Sequence, residues 1–544
     1  MLECSSRPNE GIASMAYIPS YKDQAWLLPP NLIDLIPEDH ICFLMEALVE
    51  AQDYSDFDLQ YSGAGHPAYH PRILVKLLVM GILDRVRSSR RVARNARENV
   101  VYMYLAEKLA PDFRTISDFR KSHPELAKEI FRHTVRLAKE EGMLDLSHIS
   151  TDGSKVKANA SGKRVLTKEE LAVLLRFVDE ELEAWAEQDR QEDEEFGEIR
   201  GLDQLPQQSR ETVQKAVEHY LKRMKGKGSE EKDEIKERLE EAQEELEQEG
   251  LKKVSVTDPG SRFMKNAKGK IELSYNPQVT VERRGFILAN DVNQNAADAG
   301  QLQPQIKQTE ENLGGLPEGL IWSCDAGYYE SGNMELMAER KIDGYIPDNN
   351  ESKSDQPFDK RNFSYDRDKD RWICPVGENV VYLGRHYDGQ KGKEIRVYKG
   401  ESCHSCARSR ECTRQKNGIR YLKMFPGEEV REAMRVKMKT ARAKAIYKLR
   451  QQIVEPVLGD VKENKGLRSF LTRGIGGVKT EWNLLCAAVN TQKIWRKMKG
   501  RGISVFKRQV RIPATYSETW PKSGRFPVGI PGRIGSEYAA GWGK

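Results

Sequence analysis

Two aspartates each follow a short run of strand-forming residues, a placement that suits metal-dependent chemistry on phosphate. Asp152 follows Ile149-Ser-Thr, and Asp325 ends the run Leu320-Ile-Trp-Ser-Cys. Two-metal cleavage of nucleic acid needs carboxylates that converge from different chain segments, because Mg²⁺ takes oxygen ligands. If the two aspartates project from adjacent strands of one sheet, they form such a platform. Taken singly, each is an ordinary turn residue.

A third acid lies in the helical segment IYKLRQQIVEPVLGDVKENKGLRSF. Glu455 and Lys462 are seven residues apart, nearly on one face of an α-helix, so a carboxylate for metal and an ammonium for phosphate could serve one site. Pro456 lacks an amide donor and predicts a kink beside Glu455. An amphipathic surface helix with ordinary charge pairs is the alternative interpretation. Two further acids are alternative third ligands: Asp460 and Glu463.

This helix resembles the signature helix of insertion-sequence DDE transposases, which carries a Tyr, Arg, Glu, Lys series. The matching residues here are Tyr447, Arg450, Glu455 and Lys462. Four residues separate Arg450 from Glu455, whereas the commonest form of the signature has three. The resemblance therefore holds in residue type and order, with one altered spacing.

The resemblance covers most of the chain, from about Pro19 to Lys497. It includes TDGSKVKANAS around the first aspartate, SCDAGYYESGN around the second, HPRILVKLLVMGIL and PDFRTISDFRK near the N-terminus, and TDPGSRFMK. In this last motif Asp258 and Arg262 are expected to have a structural or DNA-contact role, with a simple turn as the alternative.

The resemblance implies an α/β fold: an RNase H-like mixed sheet core interrupted by a helical insertion and a Cys-rich insertion, with an all-helical N-terminal domain. It implies two Mg²⁺ or Mn²⁺ ions bound by Asp152, Asp325 and Glu455. One ion would activate water or a DNA 3′-hydroxyl, and the other would stabilise the leaving oxygen. The residues expected to position the DNA are Tyr447, Arg450 and Lys462.

The function implied is that of a DNA transposase which binds terminal inverted repeats and target DNA, both double-stranded, and catalyses strand cleavage and strand transfer. A homodimer bridging two DNA ends and a cytoplasmic, nucleoid-associated location in a bacterium follow from the same resemblance. Two alternatives stay open. One is an RNase H-like nuclease without strand transfer, and the other is an inactive DNA-binding remnant that acts as a repressor.

Helical patterns fill the chain from Asp39 to about Leu144. Pro71 predicts the start of one helix, and His123-Pro124 the start of another. Between them, one arginine-rich helix is predicted from Ser88 to Glu107. Its basic face is expected to bind DNA phosphates, with a solvated face as the alternative. The arginines of this face are Arg90, Arg91, Arg94 and Arg97.

Strand patterns begin at His148, where a strand pair with a turn at Asp152-Gly153 is predicted. NPQVTVERRGFILANDV predicts two further strands, and KIDGYIPD predicts a short one. Between these regions, a charged stretch opens with a capping box at Thr167-Lys-Glu-Glu170. A 4-3-4 apolar spacing there favours a helical hairpin. The spacing is formed by Ile235, Leu239, Ala242 and Leu246.

Four of the eight cysteines follow the spacing C-x₂₈-C-x₂-C-x₅-C. In a reducing compartment this set predicts a structural tetrahedral zinc site, with free thiols or a redox pair as alternatives and His386 and His404 as spare ligands. The four cysteines are Cys374, Cys403, Cys406 and Cys412.

The chain has 544 residues and a net charge of only +5, but the stretch from Arg496 to Lys544 carries eleven Lys or Arg against two Glu. No apolar run is long enough to span a membrane, so no membrane partner is expected. The predicted domains are a leader (1–20), a helical DNA-binding domain (21–145), the core in three parts (146–161, 253–350, 426–498), a charged helical insertion (162–252), a Cys-rich insertion (351–425) and a basic flexible tail (499–544).

Overall fold

A computed structural model describes residues 31–60, 68–162, 164–188, 205–224, 229–266, 268–348, 356–389 and 392–499. The leader predicted at 1–20 and all but the first residue of the tail predicted at 499–544 lie outside these ranges. Among the described helices, none is both long and apolar enough to cross a membrane.

The described residues of the N-terminal part contain seven α-helices: α1 (Ile41–Glu50), α2 (Ser55–Gln60), α3 (Pro71–Leu83), α4 (Ser89–Glu98), α5 (Val100–Leu105), α6 (Phe113–Ser122) and α7 (Pro124–Glu140). Proline begins α3 and α7, as the sequence predicts. The prediction of one helix from 88 to 107 is wrong. The backbone is extended at Asn99, whose side chain accepts hydrogen bonds from the amides of Val101 and Tyr102 and so starts a second helix.

Nine strands follow in chain order: β1 (His148–Gly153), β2 (Val156–Lys157), β3 (Val165–Leu166), β4 (Val254–Ser255), β5 (Arg262–Lys265), β6 (Ile271–Glu282), β7 (Ile287–Asn293), β8 (Ile321–Cys324) and β9 (Asp343–Tyr345). The main sheet has the order β2-β6-β1-β8-β9, and β5 and β7 also pair with β6. Strand β1 is antiparallel to β6 and parallel to β8. The sheet is therefore mixed, as expected for an α/β protein.

The turn predicted at Asp152-Gly153 is not there. Both residues lie inside β1, and they pair with Val279 and Gln278 of β6. Strand β2 pairs with β6 as well, not with β1. The long partner strand therefore overrides the local turn preference of Asp-Gly.

The described part of the charged stretch contains three helices instead of the two of a hairpin: α8 (Lys168–Gln188), α9 (Gln207–Met224) and α10 (Ser229–Gln248). The capping box at the start of α8 is confirmed by hydrogen bonds in both directions between Thr167 and Glu170. The four apolar residues with 4-3-4 spacing are buried on α10, within a hydrophobic cluster of their own with α8 and α9.

Helices α11 (Leu302–Leu313) and α12 (Ser331–Glu339) flank β8 along the chain. After β9, a second sheet of five antiparallel strands is formed by β10 (Ser364–Asp366), β11 (Arg371–Ile373), β12 (Asn379–Asp388), β13 (Lys393–Gly400) and β14 (Tyr421–Met424). The short helix α13 (Ser409–Cys412) lies in the β13–β14 connection.

Three helices close the described chain: α14 (Glu428–Met438), α15 (Ala441–Gly459) and α16 (Gly474–Met498). Helix α15 does not end at Pro456; it passes into one π-helical turn, Asp460–Asn464. Helix α16 packs against α7, α3, α6 and β7, so the N-terminal helices and the main sheet share one core.

A buried ion pair fixes this junction. Glu481 of α16 accepts hydrogen bonds from the amides of Leu471 (2.9 Å) and Thr472 (3.1 Å) and pairs with Arg87, which precedes α4. Arg87 also donates to the carbonyl oxygen of Ser469 (2.9 Å). The loop after the π turn is therefore tied both to the segment between α3 and α4 and to α16.

Candidate active site

The two strand-end aspartates meet as the sequence predicts. Strands β1 and β8 are adjacent and parallel, with Thr151 opposite Cys324, so Asp152 and Asp325 occupy neighbouring positions at the same edge of the sheet. The side chain of Asp325 accepts a hydrogen bond from the Gly327 amide (2.8 Å) and caps a short 3₁₀ helix. Two separate chain segments thus bring their carboxylates together.

Arg450 of α15 is the third member of this group. Its Nη2 lies 2.9 Å from Oδ2 of Asp152, and its side chain is 8% exposed. Its Nε is buried and has no hydrogen-bond partner among the described residues. Helix α15 packs on β1, β6 and β8. The signature helix therefore places Arg450 in direct contact with Asp152.

The electrostatics of the pair favour protonation. Burial, the largest cause, raises the pKa of Asp152 to about 6, even though Arg450 acts to lower it; the negative charge of Asp325 raises it further. Burial also raises the pKa of Asp325, and again Arg450 opposes the shift. Tyr447 lies in the same electrostatic environment, and burial raises its pKa. Arg450 therefore offsets only part of the cost of burying these two carboxylates in their ionised forms.

A further carboxylate that the sequence analysis missed belongs to this group. Asp298 lies between β7 and α11, and Lys155 binds its Oδ1 at 3.0 Å and its Oδ2 at 3.1 Å. Its negative charge acts to raise the pKa values of both Asp152 and Asp325. The motif NAADAG around it carries no chemical signature, so only the Asp before a helix could have drawn attention to it.

Glu455 and Lys462 occupy different surroundings. Glu455 is exposed on α15, whereas the side of the helix that carries Arg450 is buried. Lys462 lies in the π-helical turn, whose i→i+5 spacing departs from the regular helix assumed for the predicted shared face. Among the described residues, neither side chain has a hydrogen bond or ion pair with Asp152 or Asp325.

The two alternative third ligands and the motif TDPGSRFMK make contacts away from Asp152 and Asp325. Asp460 accepts a hydrogen bond from the Asn464 side chain (2.8 Å), and Glu463 pairs with Arg468 at 3.2 Å. Asp258 is fully buried and accepts from Tyr275 Oη (2.6 Å) and the Gly474 amide (3.0 Å). Arg262 pairs with Glu245 of α10. These contacts are internal to the protein.

The arginine-rich face predicted for DNA is exposed on α4. Val92, Ala93 and Ala96 are buried on the opposite side of the helix. One arginine of the face, Arg90, stacks over the ring of Phe113 at 4.9 Å. The four exposed arginines are Arg90, Arg91, Arg94 and Arg97.

The four cysteines of the five-stranded sheet surround one cavity of about 30 Å³. Cys374 follows β11 in a tight turn, where the Glu378 amide donates to its Sγ at 3.3 Å. Burial raises the pKa of the Cys412 thiol; Arg420 acts to lower it, and the other three cysteines act to raise it. Neither His386 nor His404 lines the cavity.

As the side chains stand, no three His, Cys, Asp or Glu among the described residues are arranged to hold a metal ion. This applies to the cysteine cavity as well as to the aspartates. The donor types nevertheless suit metals: oxygen for Mg²⁺ or Mn²⁺ at the sheet edge, and sulfur for Zn²⁺ at the cavity.

Comparison with known families gives two matches. Residues 373–495 match the family described as Transposase DDE domain, and residues 30–122 match Transposase domain (DUF772). The first range contains the four cysteines and the signature helix; Asp152, Asp298 and Asp325 lie outside both ranges. No curated protein matches the chain. Over these two ranges the chain is similar to DDE transposases of the insertion-sequence type, and the DDE domain family implies a polynucleotidyl transferase.

Proposed function

We propose that this transposase binds the terminal inverted repeats of its element and double-stranded target DNA, and catalyses metal-dependent strand cleavage and strand transfer. The observation that carries the proposal is the meeting of Asp152 and Asp325 at one sheet edge with Arg450 of the signature helix. A core of RNase H type is part of the proposal. It is supported by a mixed sheet in which β1 lies between an antiparallel and a parallel neighbour.

Asp152, Asp325 and Glu455 would hold two Mg²⁺ or Mn²⁺ ions, because carboxylate oxygens are the preferred ligands of these cations. When bound, the ions activate the attacking hydroxyl and stabilise the leaving oxygen of an in-line displacement. The raised pKa of Asp152 supports this role, since a buried carboxylate gains most from a cation.

The signature helix would position the DNA. Arg450 pairs with Asp152 through Nη2, and other N–H groups of its guanidinium would grip a phosphate oxygen. Tyr447 lies beside it with a neutral hydroxyl that can donate to phosphate. Lys462 would act as a point charge on the flanking strand.

DNA contacts outside the sheet are assigned to α4. Its four exposed arginines would bind backbone phosphates, which position a protein on DNA without reading sequence. Because transposition joins two ends, we include a homodimer that holds one end in each protomer.

We also propose a structural Zn²⁺ bound by Cys374, Cys403, Cys406 and Cys412. Four thiols around one small cavity, with an N–H···S bond to the first, fit the donor set of a tetrahedral zinc site. The small core of the second sheet also favours a stabilising metal, since its hydrophobic cluster contains six buried residues in the described part of the chain.

The test is incubation with Mn²⁺ and DNA carrying the element's own terminal repeats. Asp152→Ala, Asp325→Ala and Glu455→Ala should each abolish cleavage but keep repeat binding in a gel-shift assay. Asp388→Ala is the control, because Asp388 lies in the second sheet with a side chain 10% exposed, against 16% for Asp152, and pairs with Lys423 at 3.2 Å. Cleavage by the three variants at the wild-type rate would overturn the assignment.

The same assay separates the alternatives. A nuclease cleaves these substrates but does not join a pre-cut end to target DNA, whereas a repressor remnant binds repeats and cleaves nothing. The strand-transfer product is therefore the decisive readout.

A further inference from the structure

We propose that Asp298 is a third aspartate of the cation-binding face and supplies a carboxylate oxygen to the metal beside Asp152 and Asp325. The inference rests on the proposed metal-dependent function and assigns to that site a carboxylate that the signature does not include. The class of ligand is a divalent, oxygen-preferring cation.

The position of Asp298 is defined by two glycines. A Cβ atom at Gly153, next to Asp152, would lie 2.8 Å from Oδ1 of Asp298. A Cβ atom at Gly327 would lie 3.0 Å from Oδ1 of Asp325 and 3.2 Å from Oδ2 of Asp298. The Asp298 carboxylate thus fits against the backbone beside both aspartates, in space that only glycine leaves open.

The two oxygens of Asp298 differ in their partners. Oδ1 accepts from Lys155 Nζ (3.0 Å), Asn276 Nδ2 (2.7 Å) and Gln278 Nε2 (3.0 Å). Oδ2, which faces Asp325, accepts only from Lys155 among the described residues, at 3.1 Å. One oxygen is therefore anchored, and the other is left for a cation.

A second observation at this place also points to a cation. Asn276 is completely buried, yet no donor among the described residues bonds its Oδ1. Its orientation is fixed, because its Nδ2 donates to Asp298 and to the Asn295 carbonyl (3.0 Å). The orphan oxygen lies 3.1 Å from the Cβ position at Gly153. A buried acceptor without a donor is unfavourable. Beside three carboxylates, a cation or a water molecule bound to a cation would satisfy it.

The charges of the surrounding side chains also favour a bound cation. The three carboxylates Asp152, Asp298 and Asp325 face two side-chain cations, Arg450 and Lys155, in the ion pairs of the described residues. Lys155 neutralises Asp298 in the metal-free protein, so it competes with a metal for the same carboxylate. Removing the lysine and removing the aspartate should therefore have opposite effects on metal affinity.

The experiment is Mn²⁺ binding to the purified full chain, measured by calorimetry without DNA. Asp298→Asn should weaken binding by about tenfold or more, the range found when groups supporting metal ligands are removed. Lys155→Met should tighten binding several-fold. Asp388→Asn, which breaks a matched Asp–Lys pair in the second sheet, should bind as wild type.

The outcomes separate the two proposals. Wild-type affinity in Asp298→Asn, or weaker binding in both Asp298→Asn and Lys155→Met, would show that Asp298 has only a structural role. Asp152→Asn is the arm that tests the metal site itself. If it binds Mn²⁺ as wild type does, the proposed function fails at its metal site; if it alone weakens binding, only the role of Asp298 is overturned. Far-ultraviolet circular dichroism of each variant checks that it is folded.

Discussion

Replacing Asp152 by Asn should stabilise the protein at neutral pH while destroying its activity. Burial raises the pKa of Asp152 from 3.8 to about 6 in the folded state. A shift of this size corresponds to about 3 kcal/mol of free energy that disfavours the ionised folded form. Asparagine has the same shape and no charge, so it removes this penalty.

The sign follows from the direction of the shift. Because the folded pKa is raised, the stability associated with protonated Asp152 is fully present below about pH 4 and is lost as the pH rises through about 6. The variant should therefore match wild type near pH 4 and exceed it by up to about 3 kcal/mol at pH 7.5. The pair with Arg450 does not reverse this order, since burial is the larger cause.

Urea unfolding followed by tryptophan fluorescence is a suitable assay. Trp322 of β8 is buried and donates to Oγ1 of Thr151 at 2.8 Å, next to the site. Added Mn²⁺ should stabilise wild type more than Asp152→Asn, because the cation binds the ionised carboxylate that the variant lacks. A variant that is less stable than wild type at pH 7.5, or a difference independent of pH, would refute the reasoning.

Three further predictions concern other parts of the molecule. Glu481→Gln should lower the free energy of unfolding by about 3–5 kcal/mol at neutral pH, because it leaves Arg87 buried without its carboxylate; urea titration measures this, and a loss under 1 kcal/mol would contradict it. A zinc chelator should lower the thermal midpoint of wild type but not of Cys403→Ser, and metal analysis should find about one Zn²⁺ per chain. Arg94→Ala should reduce the slope of log affinity against log salt by about 0.9, whereas exposed Arg385→Ala should not change it.

The meeting of Asp152 and Asp325 could be predicted because it depends on local patterns. Each aspartate follows a short apolar run, and neighbouring strands that run the same way end at one edge. The signature helix was likewise recognisable from residue types alone, and its Arg450 does reach the first aspartate. Nothing in the sequence marked the orientation of Glu455.

Long-range strand pairing explains why the predicted turn was wrong. Asp152-Gly153 has the composition of a turn, but β6 extends far enough to hold both residues in a strand. Gly153 is needed there for the approach of Asp298, not for a turn. Asn99 broke the predicted arginine-rich helix by capping a new one, which is a local signal that the apolar periodicity concealed.

Asp298 was missed for a related reason. Its importance comes from contacts with Lys155, 143 residues earlier, and with two β6 amides, none of which is near it in sequence. Only the assembled sheet brings these groups together.

The position of α16 has a consequence for the timing of synthesis. Asn490 of α16 bonds the backbone of Ile287 in β7 through its side chain, at 2.9 Å in both directions, and also donates to Thr134 of α7 at 3.1 Å. The ribosome makes this last helix after almost every other described residue, so the sheet and the N-terminal helices remain incomplete until then. We expect a prematurely terminated chain to be unable to assemble its cleavage site. Translation through α16 is thus required before the proposed cleavage site can form.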